Sequence, residues 1–230
     1  MAKGGVEKVK PLVAVSILFL LILSVFIFPA SEAGSGVFYI SLAFAACALS
    51  LSSWNSGISG GLKYLRLAPG WKDAPSLLLQ TLALFAACVV VTVSITGAFM
   101  LAGALDTKNV YDKVILLPLP VLVLAFTLAP LCEEMFFRGF LFRKASEWVG
   151  RLMPAGIGMR GGLPWAAGAL LSSLLFAAMH ASYGSYAELA VAFSVGAVLC
   201  IGVKKTGSLV PAVLAHAAFN FASVFMAVFL

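Results

Sequence analysis

Apolar residues run along this chain in blocks of bilayer length, with short polar gaps between them. Seven blocks come close to the roughly 20 residues needed to cross a hydrocarbon core. They are Leu12–Phe28, Val37–Ser53, Ser76–Leu101, Val114–Phe142, Leu163–His180, Tyr186–Val203 and Ser208–Leu230. Lipid offers no hydrogen bonds to a backbone, so each block is expected to be a helix. The fourth is the longest, and it is expected to tilt, to bend at Pro118, Pro120 or Pro130, or to run out into water. The expected fold class is all-α: a polytopic membrane helix bundle of about seven transmembrane helices. No gap is long enough to hold a soluble domain. The chain divides at 1–113, with three spans and no motif, and 114–230, with four spans that carry all the candidate chemistry.

Composition agrees with this pattern. The chain is 62% hydrophobic and 10% charged, with a mean hydropathy of +1.08, whereas soluble domains carry about 25% charged residues. The net charge of +6 matters less than its placement. Lys3, Lys8 and Lys10, then Lys63, Arg66 and Lys72, then Arg143, Lys144, Arg151 and Arg160, then Lys204 and Lys205 fall on alternate gaps; the other gaps hold only Lys108 and Lys113. Cationic loops stay cytoplasmic. The N-terminus is therefore expected in the cytoplasm, in a multi-pass protein of the cell (plasma or inner) membrane. Membrane topology accounts for these cations, and no interleaved basic and aromatic surface calls for a nucleic acid.

The basic lead and Ser31-Glu32-Ala33 would suit a cleaved signal peptide, but the apolar run between them exceeds the usual 7–15 residues, which favours an uncleaved first helix. Cys47, Cys88, Cys132 and Cys200 form no Cys-x-x-Cys pair, so neither a disulfide framework nor a thiolate zinc site is expected. Cys132 reads as a small core residue beside Glu133 rather than a nucleophile. Glu188, at the outer end of the sixth block, is expected to face water. Nothing in the pattern fixes an oligomeric state.

The informative residues are the polar ones inside the blocks. Ionisable groups in a membrane segment are costly, and they face a protein interior or a water cavity. Glu134 and Arg138 are four apart, on one helix face, and can compensate each other. Glu133 points about 100° away, toward Phe136, Phe137 and Phe140, with no arginine at the matching position. One acid is thus expected to be structural and its neighbour free to act as a general base. Phe176 and His180 share a face, as do His216 and Asn220. Imidazole suits proton transfer near neutrality, and a His with an Asn one turn away can aim two donors at one oxyanion. Helix–helix adhesion through polar residues is the plainer alternative.

Counting along the helices tests whether these groups can meet. Glu133 is ten residues from Arg143, or ~15 Å, and His216 is eleven from Lys205, or ~16 Å. His180 is twenty from Arg160, or ~30 Å, which is too deep unless the fifth helix starts below the surface or tilts.

Glu-Glu-x-x-x-Arg (Glu133, Glu134, Arg138), Phe-x-x-x-His (Phe176, His180) and His-x-x-x-Asn (His216, Asn220), in this order and in separate membrane helices, resemble the CAAX protease and bacteriocin-processing family (CPBP, or Abi). That family includes relatives of the type II CAAX prenyl endopeptidase. Ala129-Pro130, Phe137-Arg138-Gly139 and Thr206-Gly207-Ser208-Leu209 match it as well, so the resemblance covers about residues 129–225.

The resemblance implies an intramembrane endopeptidase. In it, Glu133 corresponds to the residue that activates water, and His180 to its partner in holding that water. His216 and Asn220 correspond to the groups that stabilise the oxyanion. Glu134, Arg138 and Phe176 complete the motifs as scaffold. Family members have been described both as glutamate-type and as metalloproteases. No cofactor is favoured; if zinc is used, Glu133, His180 and His216 are its ligands, with a fourth position open. The implied substrate is a membrane-anchored protein or a hydrophobic C-terminal or leader peptide in the lipid bilayer. The competing readings are a non-catalytic membrane binding or immunity protein, and an ion or proton carrier. The absence of internal repeats weighs against the carrier.

Overall fold

The computed structural model describes residues 33–54, 56–67, 74–153 and 162–229. The first expected span, Leu12–Phe28, lies outside the described residues. In chain order the helices are α1 (Ala33–Ser53), α2 (Gly57–Tyr64), α3 (Ala74–Leu101), α4 (Lys108–Ile115), α5 (Leu119–Phe126) and α6 (Leu128–Glu134). A π-helical segment follows (Met135–Leu141), then α7 (Phe142–Leu152), α8 (Gly162–Met179), a 3₁₀ turn (Ala181–Tyr183), α9 (Tyr186–Thr206) and α10 (Val210–Phe229). No strand occurs among the described residues. Five stretches among them are long and apolar enough to cross a membrane: Ala74–Leu101, Leu119–Leu152, Gly162–Tyr183, Tyr186–Thr206 and Val210–Phe229. The second expected span coincides with α1, which is 21 residues long.

The fourth span departs from the expected Val114–Phe142. Val114 belongs to α4, a separate, largely exposed helix carrying Lys108, Asn109, Asp112 and Lys113. The span itself runs from Leu119 to Leu152. Two prolines set its start: Pro118 is the extended N-cap at ψ 145° and Pro120 sits in the first turn, where a missing N–H costs nothing.

Pro130 sets the interruption at Thr127. Its ring cannot bond the carbonyl of residue 126, so the helix breaks one turn earlier, and Thr127 adopts φ −114°, ψ −76°. Three carbonyls at the end of α5 are taken up. Val123 O accepts from Thr127 Oγ1 at 2.7 Å, Leu124 O from Thr127 N–H at 3.3 Å and Ala125 O from Asn220 Nδ2 at 2.9 Å. In lipid, unsatisfied backbone of this kind is tolerated only when protein groups supply the partners.

The core is aromatic and lies around the π segment. Phe44 of α1 stacks on Phe136 at 4.6 Å and meets Phe137 edge-on at 5.3 Å, and Phe137 meets Phe176 of α8 at 5.3 Å. Small residues let the helices approach, as in other membrane bundles. A Cβ on Gly168 of α8 would meet Ser146 Oγ and would stand 2.6 Å from the Phe142 carbonyl. The outward faces carry exposed Leu78, Leu79, Leu82, Val90 and Met100 on α3, as lipid contact requires.

Cations from alternate gaps converge on one end of the bundle. Arg143 lies 4.0 Å over the Tyr64 ring and Lys144 5.1 Å from it, while Tyr64 donates to Glu147 at 3.1 Å. Arg66, in the left-handed region at φ 58°, donates to Val203 O at 3.3 Å and accepts from Leu209 N at 3.1 Å. This anchors α10 beneath α2, with Leu209 fully buried.

At the opposite end the connection from α3 to α5 is fastened to the α8–α9 turn. Asp106 accepts from Ser185 Oγ at 2.7 Å, Tyr186 N at 2.6 Å and Ala187 N at 3.1 Å. Ser185 caps α9 by accepting from Glu188 N at 3.0 Å. The carboxylate sits where the positive end of the α9 dipole favours it.

Two predictions follow from these contacts. The Ser185 hydroxyl and the Tyr186 and Ala187 N–H groups hold the Asp106 carboxyl below the usual carboxylate range. Its stabilising contribution is therefore full above an unfolded value of about 4 and is lost as pH falls through the folded value. In thermal unfolding of the detergent-solubilised chain, Asp106→Ala should melt earlier than wild type at about pH 6, with the gap closing below about pH 4; a constant gap would exclude the carboxylate as its source. Gly168→Ala should cost about 1–3 kcal/mol because its Cβ meets backbone, whereas Gly97→Ala in α3, with nothing within 4 Å, should not lower the melting temperature.

Candidate functional site

The π segment starts at the residue after Glu134, so the acid pair sits on the last turn of α6. Hydrogen bonding from i to i+5 widens the helix locally, and such segments recur at functional sites. Glu134 and Arg138 form the expected pair, with Arg138 Nη1 donating to Glu134 Oε1 at 2.8 Å and both side chains 0% exposed. Arg138 is held from above by the Phe176 ring, 4.2 Å from its guanidinium carbon, a favourable placement for a desolvated cation. Gly196 of α9 makes room on the other side: a Cβ there would stand 3.1 Å from Arg138 Nη2. Ser172 Oγ donates to Phe137 O at 2.8 Å, tying α8 to the π segment. Neither Gly196 nor Ser172 is conspicuous in the sequence, because small residues are common in membrane helices.

His216, buried on α10, lies against both acids. Its Nδ1 is 2.9 Å from Glu134 Oε1 and its Nε2 is 3.9 Å from Glu133 Oε2. A carboxylate paired with arginine can only accept, so Nδ1 carries a proton toward Glu134. Nε2 is then the atom aimed at Glu133. Glu133 differs from its neighbour as the sequence suggests. Its side chain is 20% exposed, and no described residue hydrogen-bonds it. A water with hydrogen bonds of about 2.8 Å to both Glu133 Oε2 and His216 Nε2 fits across their separation.

His180 closes α8. Its Nδ1 lies 2.9 Å from Phe176 O, and a carbonyl only accepts, so the proton sits on Nδ1 and Nε2 is left as an acceptor. Phe176 is the hub of the cluster, in ring contact with His180 at 4.8 Å and with His216 at 5.7 Å. Both imidazoles are within electrostatic reach of the Glu133 carboxylate.

Arg160, from which the depth of His180 is counted in the sequence, lies outside the described residues. The ring that contacts His216 is that of Phe176, and His180 follows Phe176 by one turn of α8. Asn220, one turn after His216, spends one amide hydrogen on Ala125 O and retains the other. Glu133, Glu134, Arg138, Phe176, His180 and His216 are joined by these contacts, and Asn220 stands one turn along α10 from His216. Cys132, the residue before Glu133, is buried.

Zinc was an open alternative. Among the described residues, no three His, Cys, Asp or Glu side chains converge as a ligand set, and Glu133, His180 and His216 do not form one.

Comparison with known proteins bears on the same half of the chain. An uncharacterized 24.3 kDa protein of Escherichia coli is 35% identical over 130 residues, covering 52% of this chain and 53% of that protein. This chain therefore spans about half the length of that curated relative. No solved structure matches it. Residues 115–222, which hold the whole cluster from Glu133 to Asn220, match the family described as type II CAAX prenyl endopeptidase Rce1-like. Through this segment, a little under half of its length, the chain is similar to the type II CAAX prenyl endopeptidase Rce1-like family.

Proposed function

We propose that this chain is an intramembrane endopeptidase that uses Glu133 to activate water against a peptide bond of a membrane-tethered protein or a hydrophobic C-terminal or leader peptide. The observation that carries the reading is the difference between two adjacent acids. Glu134 is buried and held at Oε1 by both Arg138 and His216, while Glu133 is partly exposed with the Nε2 of His216 aimed at it. A structural pair needs only the first of these.

In this reading Glu133 takes a proton from water, and the resulting hydroxide forms a C–O bond to the carbonyl carbon as the carbonyl electrons move to oxygen. His180 helps to hold the water. The proton held by Glu133 then goes to the leaving amine as the C–N bond breaks, with His180 Nε2, an acceptor while Nδ1 is fixed on Phe176 O, suited to relay it. His216 and the uncommitted Asn220 N–H stabilise the oxyanion. For that, His216 must carry protons on both nitrogens, because Nδ1 is directed at Glu134. In this reading water activation needs no metal. The cytoplasmic N-terminus of this reading rests on the alternation of cation-rich gaps along the sequence, and the cell membrane is its proposed location.

Purified chain in liposomes, given a prenylated CAAX-tailed peptide and an unprenylated hydrophobic-tail peptide, should cleave at least one of them. Glu133→Gln should lower the rate by about 10²–10⁴-fold with the melting temperature unchanged. Cleavage that survives this substitution removes Glu133 as the base and favours a binding protein. Elemental analysis of active protein should find less than stoichiometric zinc, with activity retained in chelator; zinc lost together with activity would overturn the metal-free mechanism.

A further inference from the structure

Tyr183 belongs to none of the three motifs, yet it stands beside His180 at the end of α8. It follows His180 by one 3₁₀ turn, with its N–H bonded to His180 O at 3.0 Å. The two rings lie 6.0 Å apart, inclined at 35°. The turn that carries it is fixed from outside. Lys113 Nζ donates to Ser182 O at 2.5 Å and to Tyr183 O at 3.2 Å, and Asn109 Nδ2 donates to Gly184 O at 3.3 Å. Gly184 ends it at φ 70°, a conformation that favours glycine. The backbone is thus held by α4 on the side away from the bundle. The phenol is half-buried, and both Glu133 and Glu188 act on it electrostatically. Its hydroxyl is not sealed from the surroundings, and no described residue hydrogen-bonds it, so it is open to a ligand.

The candidate oxyanion donors leave a role for it. Asn220 has one amide hydrogen committed to Ala125 O, and His216 Nε2 is directed at Glu133. A phenol is a neutral donor that needs no titration near neutral pH.

We propose that Tyr183 is a further catalytic residue, its hydroxyl donating a hydrogen bond to the carbonyl oxygen of the bound peptide as that oxygen gains negative charge. The hydrogen bond moves no proton and breaks no covalent bond. This rests on the peptidase reading above. It gives the α4 latch a task, since Lys113 and Asn109 then fix the position of a reacting donor rather than merely closing a loop.

The test measures kcat, KM and the pH–rate profile of Tyr183→Phe beside those of Glu133→Gln, in liposomes, with the cleaved peptide identified above and kcat expressed per folded molecule. The expected result is a fall in kcat of about 10²-fold, the usual cost of one oxyanion donor, with KM and the acidic limb of the profile unchanged. A phosphonate analogue of the tetrahedral intermediate should lose affinity by the same factor as kcat/KM. Wild-type kcat per folded molecule in Tyr183→Phe overturns the proposal, whether or not the variant melts early. A shifted acidic limb with phosphonate affinity retained also overturns it, because the hydroxyl would then serve Glu133 instead. Activity surviving in Glu133→Gln defeats the peptidase mechanism itself, a failure distinct from either of these.

Discussion

Arg138 and Glu134 meet at 2.8 Å inside the bundle with neither side chain exposed, and the surrounding geometry is arranged to make that pair tolerable. A buried ion pair is at best weakly stabilising, and removing one partner is costly because a bare charge remains. The surroundings act accordingly. Phe176 lies over the guanidinium, Gly196 gives up its side-chain volume to it, and His216 brings a second donor to the same carboxylate oxygen. Each comes from a different helix, so α8, α9 and α10 are brought into register around one residue of the π segment. The pair works as a pin, and specificity of arrangement rather than net stability is what it offers.

The irregular backbone lies on either side of the acids. Pro130 breaks the helix before them, and the π segment widens it after them. Glu133 and Glu134 are thus confined to a short ordinary turn between two departures from regular geometry. Such departures in lipid require protein partners for the backbone; Asn220 and Ser172 supply them from neighbouring helices and Thr127 from within the span.

Sequence legibility followed the range of each interaction. The Glu134–Arg138 pair is local, one turn along a helix, and could be read directly, as could the free state of Glu133 by rotation. Five membrane spans were visible as apolar blocks. The start of the fourth was misplaced because α4 is a short, largely exposed helix that hydropathy blurs into its neighbour, although Pro118 marked the true boundary. Glu188 was expected in water and is half-buried, because α4 and the 3₁₀ turn close over that end. The Asp106, Asn109 and Lys113 contacts join residues about 70 to 80 positions apart, and no periodicity encodes them. Tyr183 escaped notice because a tyrosine in an apolar setting carries no charge to explain. The π segment has no signature in a run such as Met135-Phe136-Phe137, where every register is apolar.

Asn220 ties two of these features together. Its amide is the partner of Ala125 O at the proline-induced break, and it is also the side chain whose remaining hydrogen faces the reacting carbonyl in the proposed chemistry. The angle at which α5 meets α6 and the direction of that hydrogen are consequently one coordinate, not two. Any flexing of the fourth span at Thr127, such as a substrate helix wedging alongside it would produce, re-aims the amide. A hinge and a trigger can in this way share a single side chain.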